Sequence, residues 1–151
     1  RNVLIASIAP AGNKRIDSGA ILRKISTKPG DFYDPAQLRK DLKAVFSMGY
    51  FDDVEIEANE TDKGKAIIFR VKEKKVINRI TINGTDKIKE QDVRDAGGIN
   101  PNTILNPTHL NEAVQRIVEL YKSKGYYNTK VTYSLSYPSK DRVDVNFTVK
   151  E

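Results

Sequence analysis

The sequence predicts an α+β protein built from two tandem modules, each with the element order β-α-α-β-β. Three observations carry this prediction. A short segment occurs twice, as Ser47-Met48-Gly49-Tyr50-Phe51 and, 76 residues later, as Ser123-Lys124-Gly125-Tyr126-Tyr127. Apolar residues with helical spacing precede each copy, and apolar residues at every second position follow it. Self-similarity at a fixed period is typical of a chain that repeats one structural unit.

The composition of the 151 residues narrows the possible functions. A chain of this length forms one domain or two small ones, which disfavours a deep catalytic cleft. It has no cysteine and one histidine, so disulfides, thiolate metal sites and cysteine nucleophiles are excluded. The net charge of +6 is compatible with nucleic acid, anionic lipid or an acidic partner. Basic and acidic residues are interleaved along the chain, however, and this favours a solvated surface.

Each half opens with a predicted strand and a short helix. Apolar, largely branched residues form the strands, and a turn signal of glycine and asparagine follows each of them, at Gly12-Asn13 and at Asn83-Gly84. The second turn lacks the Gly-Asn order of the first, although the local residues still suit a turn. The strand and the helix are expected at residues 3–8 and 17–25 in the first half, and at residues 76–82 and 88–96 in the second.

A longer amphipathic helix follows in each half. Its start is marked by an N-cap residue and a proline at the first helical position, Asp34-Pro35 and Asn106-Pro107. Its end is marked by Gly49 and Gly125, because glycine readily adopts the left-handed conformation that closes many helices. The distance from cap to glycine grows from 15 to 19 residues, about one helical turn, so both helices keep one apolar face. These faces consist of Leu38, Leu42, Val45 and Phe46 in the first helix and of Leu110, Ala113, Val114, Ile117, Val118 and Tyr121 in the second.

A β-hairpin with one buried face closes each half. Apolar and polar residues alternate on both sides of a turn, Thr61-Asp62-Lys63-Gly64 in the first half and Pro138-Ser139-Lys140-Asp141 in the second. The boundary between the halves falls at Lys74-Lys75, which predicts modules of residues 1–74 and 75–151. The alternating apolar residues are Val54, Ile56, Ile67, Phe69 and Val71 in the first hairpin and Val131, Tyr133, Leu135, Val143, Val145, Phe147 and Val149 in the second.

This repeat resembles the POTRA family, and the resemblance covers nearly the whole chain. Its clearest features are the Gly-Asn turn after the first strand and Gly49-Tyr50-Phe51-Asp52-Asp53-Val54 after the second helix. Within the family, the halves are most similar to the first two POTRA modules of bacterial outer-membrane β-barrel assembly factors. The residues that carry the resemblance are 12–16, 28–31, 41–46, 49–54, 71–74 and 142–145.

The resemblance implies a fold, a location and partners. Each module would be a three-stranded mixed sheet covered on one face by two helices. The chain would be a periplasmic scaffold of an outer-membrane protein, with no catalytic activity and no cofactor. Since it begins at Arg1 and has no run of eighteen apolar residues, we expect it to be part of a longer protein. Its partners would be unfolded outer-membrane protein precursors, periplasmic chaperones, accessory assembly lipoproteins and a C-terminal membrane barrel of the same chain.

In this family the strand after the long helix lies at a sheet edge, where it can accept an extended segment as an additional strand. Such binding would be weak and tolerant of many sequences. Glu55, Glu57 and Lys130 support the alternative that charges blunt these edges against pairing. The two interpretations are balanced in the first module. Strand addition is favoured in the second, whose edge region carries Thr129, Thr132, Tyr133 and Ser134. The candidate binding residues are Val54, Glu55, Ile56, Glu57 and Ala58 in the first module and Lys130, Val131, Thr132, Tyr133, Ser134 and Leu135 in the second.

Candidates for catalytic or metal chemistry are weak. His109 has no second histidine or cysteine to assist it, and we expect it at the surface. Asp52 and Asp53 are adjacent in a predicted strand, so their side chains would point to opposite faces. The sequence contains no phosphate loop, dinucleotide motif, calcium loop or nucleophile elbow, so we expect no enzyme. Four aromatic residues, Tyr50, Phe51, Tyr126 and Tyr127, are expected to pack between helix and strand.

Two further functional alternatives are open. RNA-binding KH domains also begin β-α-α-β, but they carry a Gly-x-x-Gly loop between the helices. The corresponding segments here, residues 27–34 and 97–101, lack that loop, and we expect no nucleic-acid partner. Within the POTRA superfamily, the chain could instead come from a two-partner secretion transporter, a TamA-like assembly factor or a division protein.

Overall fold

The computed structural model describes residues 3–151, which fold into two compact units. The first unit ends at Lys74, and the second runs from Lys75 to Glu151. Each unit contains its own cluster of buried apolar residues, so each is built around a separate core. None of the helices in the described residues has both the length and the apolar character that crossing a membrane requires.

The first unit is a mixed three-stranded sheet with two helices. Its central strand is β3, which is flanked by β1 in parallel and by β2 in antiparallel orientation. Both helices contribute residues to the buried cluster beneath the sheet, among them Ile21 and Val45. The elements are β1 (Ile5–Ala11), α1 (Ser18–Leu22), α2 (Pro35–Phe46), β2 (Phe51–Thr61) and β3 (Gly64–Glu73).

The second unit repeats this arrangement. Its central strand is β6, with β4 parallel on one side and β5 antiparallel on the other. The predicted fold, two α+β modules with mixed three-stranded sheets and two helices each, is confirmed. The elements are β4 (Val76–Asn83), α3 (Glu90–Gly97), α4 (Pro107–Ser123), β5 (Lys130–Ser136) and β6 (Arg142–Lys150).

The long helices begin and end as predicted. The Asp34 side chain accepts hydrogen bonds from two backbone N–H groups in the first turn of α2, and Asn106 accepts one in α4. Gly49 and Gly125 follow the helix ends with φ of 85° and 93°, in the left-handed region. Local capping chemistry therefore determines the length of both helices.

Other boundaries differ from the prediction. β1 continues to Ala11, through Pro10 and past the predicted end at residue 8. Proline is tolerated there because β1 lies at an edge of its sheet. Helix α1 ends at Leu22 because the N–H groups of Lys24 and Ile25 bond to carbonyls three residues back, which tightens the chain beyond the helix.

The turn after the first strand is built in the same way in both units. Gly12 and Gly84 have φ of 85° and 93°. A Cβ atom would lie 2.3 Å from the Val71 carbonyl oxygen at Gly12 and 2.0 Å from the Val149 carbonyl oxygen at Gly84. Only glycine fits such a close backbone approach. The second turn, although it lacks the Gly-Asn order, is therefore equivalent to the first.

A glutamate at the end of each module holds this turn. The Glu73 carboxylate accepts hydrogen bonds from the backbone N–H groups of residues 14–16. The Glu151 carboxylate does the same for residues 86–88. The anchor was not predicted from the sequence, although Val71-Lys72-Glu73 recurs as Val149-Lys150-Glu151. Each last strand is thus tied to the loop that leads into the first helix.

The two anchoring carboxylates differ in their remaining partner. The Arg15 guanidinium lies 3.3 Å from the Glu73 carboxylate, whereas the buried Tyr121 hydroxyl donates a 2.5 Å hydrogen bond to Glu151. Burial raises the pKa of Glu151, but the bonds from Tyr121 and from the loop outweigh it, so this pKa lies below its ordinary 4.5. Burial and the neighbouring carboxylate both raise the pKa of the Tyr121 hydroxyl.

A buried carboxylate fixes the connection between the helices of the first unit. Asp41 is 2% exposed and lies on the inner side of α2. It accepts bonds from the N–H groups of Ser26 and Thr27, from the Thr27 hydroxyl and from the Gln37 amide. Burial raises the pKa of Asp41, but these hydrogen bonds outweigh it and hold the pKa below its ordinary 3.8.

Candidate functional site

The predicted binding segments lie on strands at the sheet edges. β2 pairs with β3 and β5 pairs with β6, and within residues 3–151 no strand pairs with the opposite side of either. An edge strand presents backbone N–H and C=O groups that can hydrogen-bond an added chain. Both candidate segments therefore have the backbone position that strand addition requires.

The other edge of each sheet is partly covered. The backbone of Ile5 in β1 exchanges two 2.8 Å hydrogen bonds with residues 30–31, and the backbone of Ile77 in β4 exchanges bonds of 2.7 and 2.8 Å with residues 102–103. These segments run antiparallel to the strands that they cover. The cover was not predicted, because short connecting segments carry no periodic signal. It distinguishes β1 and β4 from β2 and β5.

The β5 strand has one apolar and one polar face. Val131 is 9% exposed and belongs to the buried cluster, and Tyr133 and Leu135 pack against that cluster. Thr132 and Ser134 lie on the opposite, exposed face. The candidate residues of the second module therefore form one continuous strip along a single edge.

The β2 strand has the same alternation with different chemistry. Val54 is buried and Ile56 packs against the core, while Glu55 and Glu57 lie on the outer face. The Arg70 guanidinium donates a 2.5 Å hydrogen bond to the Glu57 carboxylate. This bond lowers the pKa of Glu57 and raises the pKa of Arg70. Ala58, the last candidate residue, is exposed. The edge of the first module is thus acidic, and that of the second is uncharged over most of its length.

The expectation that four aromatic residues pack between helix and strand is half wrong. Phe51 is 1% exposed, and Tyr126 packs edge-on against Tyr121 with ring centroids 6.1 Å apart. Tyr50 is 39% exposed and Tyr127 is 72% exposed. In each pair the two aromatic side chains come from adjacent residues, and only one of the two lies in or against the core.

The remaining candidates provide no chemical site. Asp52 and Asp53 are both exposed, and residues 3–151 contain no group of three or more His, Asp or Glu side chains that could hold a metal ion. His109 is exposed and borders a shallow cleft of about 370 Å³, whose lining includes no acidic or basic residue to pair with the imidazole.

Comparison with known proteins identifies the repeat. A family model described as POTRA, surface antigen variable number repeat, matches residues 3–74 and again residues 75–151. The chain belongs to the POTRA family. It therefore contains two POTRA modules in tandem, in agreement with the resemblance of its sequence.

Two curated relatives are outer membrane protein assembly factors named BamA. The POTRA chain is 33% identical over 129 residues to the protein of Nitratidesulfovibrio vulgaris, a match that covers 85% of the chain and 16% of the relative. It is 25% identical over 150 residues to the protein of Neisseria meningitidis serogroup B, with 97% and 18% covered. The chain spans less than a fifth of the length of either relative.

Solved structures show the same fold. The N-terminal domain of Omp85 from Thermosynechococcus elongatus matches with a TM-score of 0.64 and 24% identity, over 97% of this chain and 63% of that one. POTRA modules 1 and 2 of the periplasmic domain of Omp85 from Anabaena match with a TM-score of 0.54 and 21% identity, over 97% and 95%. CdiB from Escherichia coli matches with a TM-score of 0.53 and 16% identity, over 98% and 27%.

Proposed function

We propose that this chain is the periplasmic POTRA pair of an outer-membrane protein assembly factor, with residues 1–74 as one module and residues 75–151 as the next. The relatives named as assembly factors support this assignment. The pair acts as a scaffold and performs no catalysis, and it captures unfolded β-barrel precursors by adding an extended segment to a sheet edge.

This proposal rests on the difference between the two edges of each sheet, one partly covered and one open. Connecting segments hydrogen-bond to β1 and to β4, whereas β2 and β5 pair on one side only within the described residues. A segment of a barrel precursor is itself a strand of alternating apolar and polar residues. Added to β5, its apolar residues would extend the face formed by Val131, Tyr133 and Leu135, and its polar residues would lie beside Thr132 and Ser134.

The energetics favour a weak, general carrier. A segment paired along the seven residues of β5 would gain ~4 backbone hydrogen bonds, each worth about 1 kcal/mol net. Ordering the incoming chain costs about 1 to 2 kcal/mol per residue. Over seven residues this ordering cost is roughly 7 to 14 kcal/mol and exceeds the gain from the backbone bonds. Burial of the segment's apolar side chains must supply the difference, so affinity should be weak, near the millimolar range. Such affinity allows a precursor to be captured and then released.

The further partners follow from the same assignment. A scaffold of this kind receives precursors from periplasmic chaperones, docks accessory assembly lipoproteins and continues into a C-terminal membrane barrel. The fold-level likeness to CdiB fits the alternative of a two-partner secretion transporter, and a TamA-like factor would use the same modules. The two BamA relatives favour the assembly factor.

An amide NMR titration tests edge capture. The chain is titrated with peptides from outer-membrane barrel strands, and a scrambled polar peptide serves as control. We expect fast-exchange shifts confined to residues 54–58 or 130–135 with the barrel peptides alone. Shifts that spread over the helices, or identical shifts with the scrambled peptide, would contradict capture at an edge.

A further inference from the structure

We propose that the β2 edge selects extended segments that carry Lys or Arg at every second position, whereas the β5 edge accepts segments without regard to such charges. The proposal rests on the edge capture proposed above and specifies the sequences that each edge prefers. It follows from the outer face of β2, where Asp53, Glu55 and Glu57 form an acidic row along the open edge.

The acidic row already belongs to a ladder of alternating charge. Asp53 lies opposite Lys72 on β3, Glu55 lies opposite Arg70, and Glu57 makes an ion pair with the same Arg70. Each acid of this row thus has a cation beside it on the central strand, and Glu55 and Glu57 share Arg70. A third strand with cations on the same face would continue the alternation.

Distance determines which charge an incoming segment experiences. Side chains opposite each other on neighbouring strands have Cβ atoms about 5 Å apart, so an incoming cation would lie directly beside Glu55 or Asp53. The cations of β3 lie two strands away from that position, at about 10 Å. Attraction to the acidic row therefore outweighs repulsion from Arg70 and Lys72, since the interaction weakens with distance and with salt.

The same row discourages pairing between copies of the chain. Two β2 edges joined to each other would bring acidic side chains together, and like charges on adjacent strands are destabilising. Charged side chains on an edge are a common protection against self-pairing. Glu55 can therefore exclude another β2 strand and still admit a cationic segment, which reconciles edge blunting with edge capture in the first module.

The outer face of β5 lacks such a row. Thr132 and Ser134 lie opposite Thr148 and Asn146, and Ser136 lies opposite Asp144. Apart from Lys130 at its start, the strand presents hydroxyl groups, which can hydrogen-bond to many polar side chains without selecting a charge. Binding at β5 therefore serves as an internal reference for binding at β2.

The test uses the whole chain and three peptides that share one set of alternating apolar residues, with Lys, Gln or Glu at the intervening positions. Amide NMR reports binding at β2 and β5 separately. For two cross-strand contacts we expect the Lys peptide to bind β2 about 2- to 30-fold more tightly than the Gln peptide. The Glu peptide should bind β2 most weakly, and high salt should reduce the differences.

Two variants make the test specific. Glu55→Gln should remove most of the preference for the Lys peptide at β2. Glu60→Gln makes the same change on the same strand, but on the opposite face, where Glu60 pairs with Lys65, and should leave the preference intact. Equal binding of the three peptides at β2, or equal effects of both variants, would overturn charge selection while edge capture stands. If no peptide shifts β2 or β5, edge capture and charge selection both fail.

Discussion

The glutamate that ends β3 should contribute more to the stability of the first module than any exposed ion pair. In Glu73→Ala, three backbone N–H groups of residues 14–16 lose their acceptor, and the Arg15 guanidinium loses its partner. The Glu73 side chain is 8% exposed. Its hydrogen bonds are therefore largely shielded from water in the folded module.

The size of the effect follows from these contacts. Hydrogen bonds to charged groups contribute about 1.5 to 3 kcal/mol each when their loss leaves a group unsatisfied. Water can reach the N–H groups of this loop after the substitution, so we expect a total loss of about 2 to 4 kcal/mol. A module of 74 residues has a free energy of unfolding of roughly 4 to 11 kcal/mol. The substitution should therefore remove a large fraction of its stability.

Urea unfolding followed by amide NMR measures the two modules separately. With a denaturant dependence of roughly 1 kcal/mol per molar urea, Glu73→Ala should lower the midpoint of the first module by about 2 M or more. Glu73→Gln keeps one acceptor oxygen, so its urea midpoint should lie between those of Glu73→Ala and the wild type. Glu60→Ala, which removes an exposed ion pair with Lys65, is the control and should have little effect. The reasoning is refuted if Glu73→Ala and Glu60→Ala unfold at the same urea concentration.

Two further predictions concern stability. Because the pKa values of Asp41 and Glu151 lie below their ordinary 3.8 and 4.5 in the folded state, both modules should keep full stability above about pH 4.5 and lose it as the pH falls through the lowered values. Denaturant midpoints measured from pH 6 to pH 3 check this prediction. Asp41→Asn should make the first module lose less stability over this range. A wild type that is equally stable at pH 6 and pH 3 would contradict the prediction. Gly84→Ala should destabilise the second module more than Gly125→Ala, since both glycines have φ of 93° but only a Cβ at Gly84 meets the Val149 carbonyl oxygen. Equal thermal midpoints for the two alanine variants would show that this close approach is unimportant.

Features with a local cause could be predicted from the sequence. Asp34-Pro35 and Asn106-Pro107 mark the starts of α2 and α4 because capping and the fixed φ of proline act within a few residues. The strand alternation predicts which residues face the core, since the side-chain period of a strand is two. The expected packing failed at Tyr50 and Tyr127, each next to an aromatic neighbour that occupies the core position. It failed also at Phe46, which the apolar spacing placed on the inner face of α2 but which ends that helix and is 49% exposed.

Features that join distant segments could not be predicted from one sequence. The anchoring of residues 14–16 by Glu73 links positions almost sixty residues apart, and its only sequence signal is the repeated Val-Lys-Glu. The covering of Ile5 by residues 30–31 is made entirely by backbone groups, which every residue possesses. The sequence therefore predicted the open edge strands of the candidate site but not the covered edges. The difference between open and covered edges is known only from the structure.

The four edges illustrate two different ways of preventing unwanted strand pairing. A covering segment, as on β1 and β4, occupies the backbone groups that it bonds and so closes that stretch to any other chain. A charged row, as on β2, leaves the backbone groups open and repels only strands of like charge. Covering therefore suits an edge that serves stability alone, whereas charge suits an edge that must exclude its own copies and still bind another polypeptide. By this reasoning the Glu55 carboxylate, at first sight an argument against binding at β2, favours a selective binding edge.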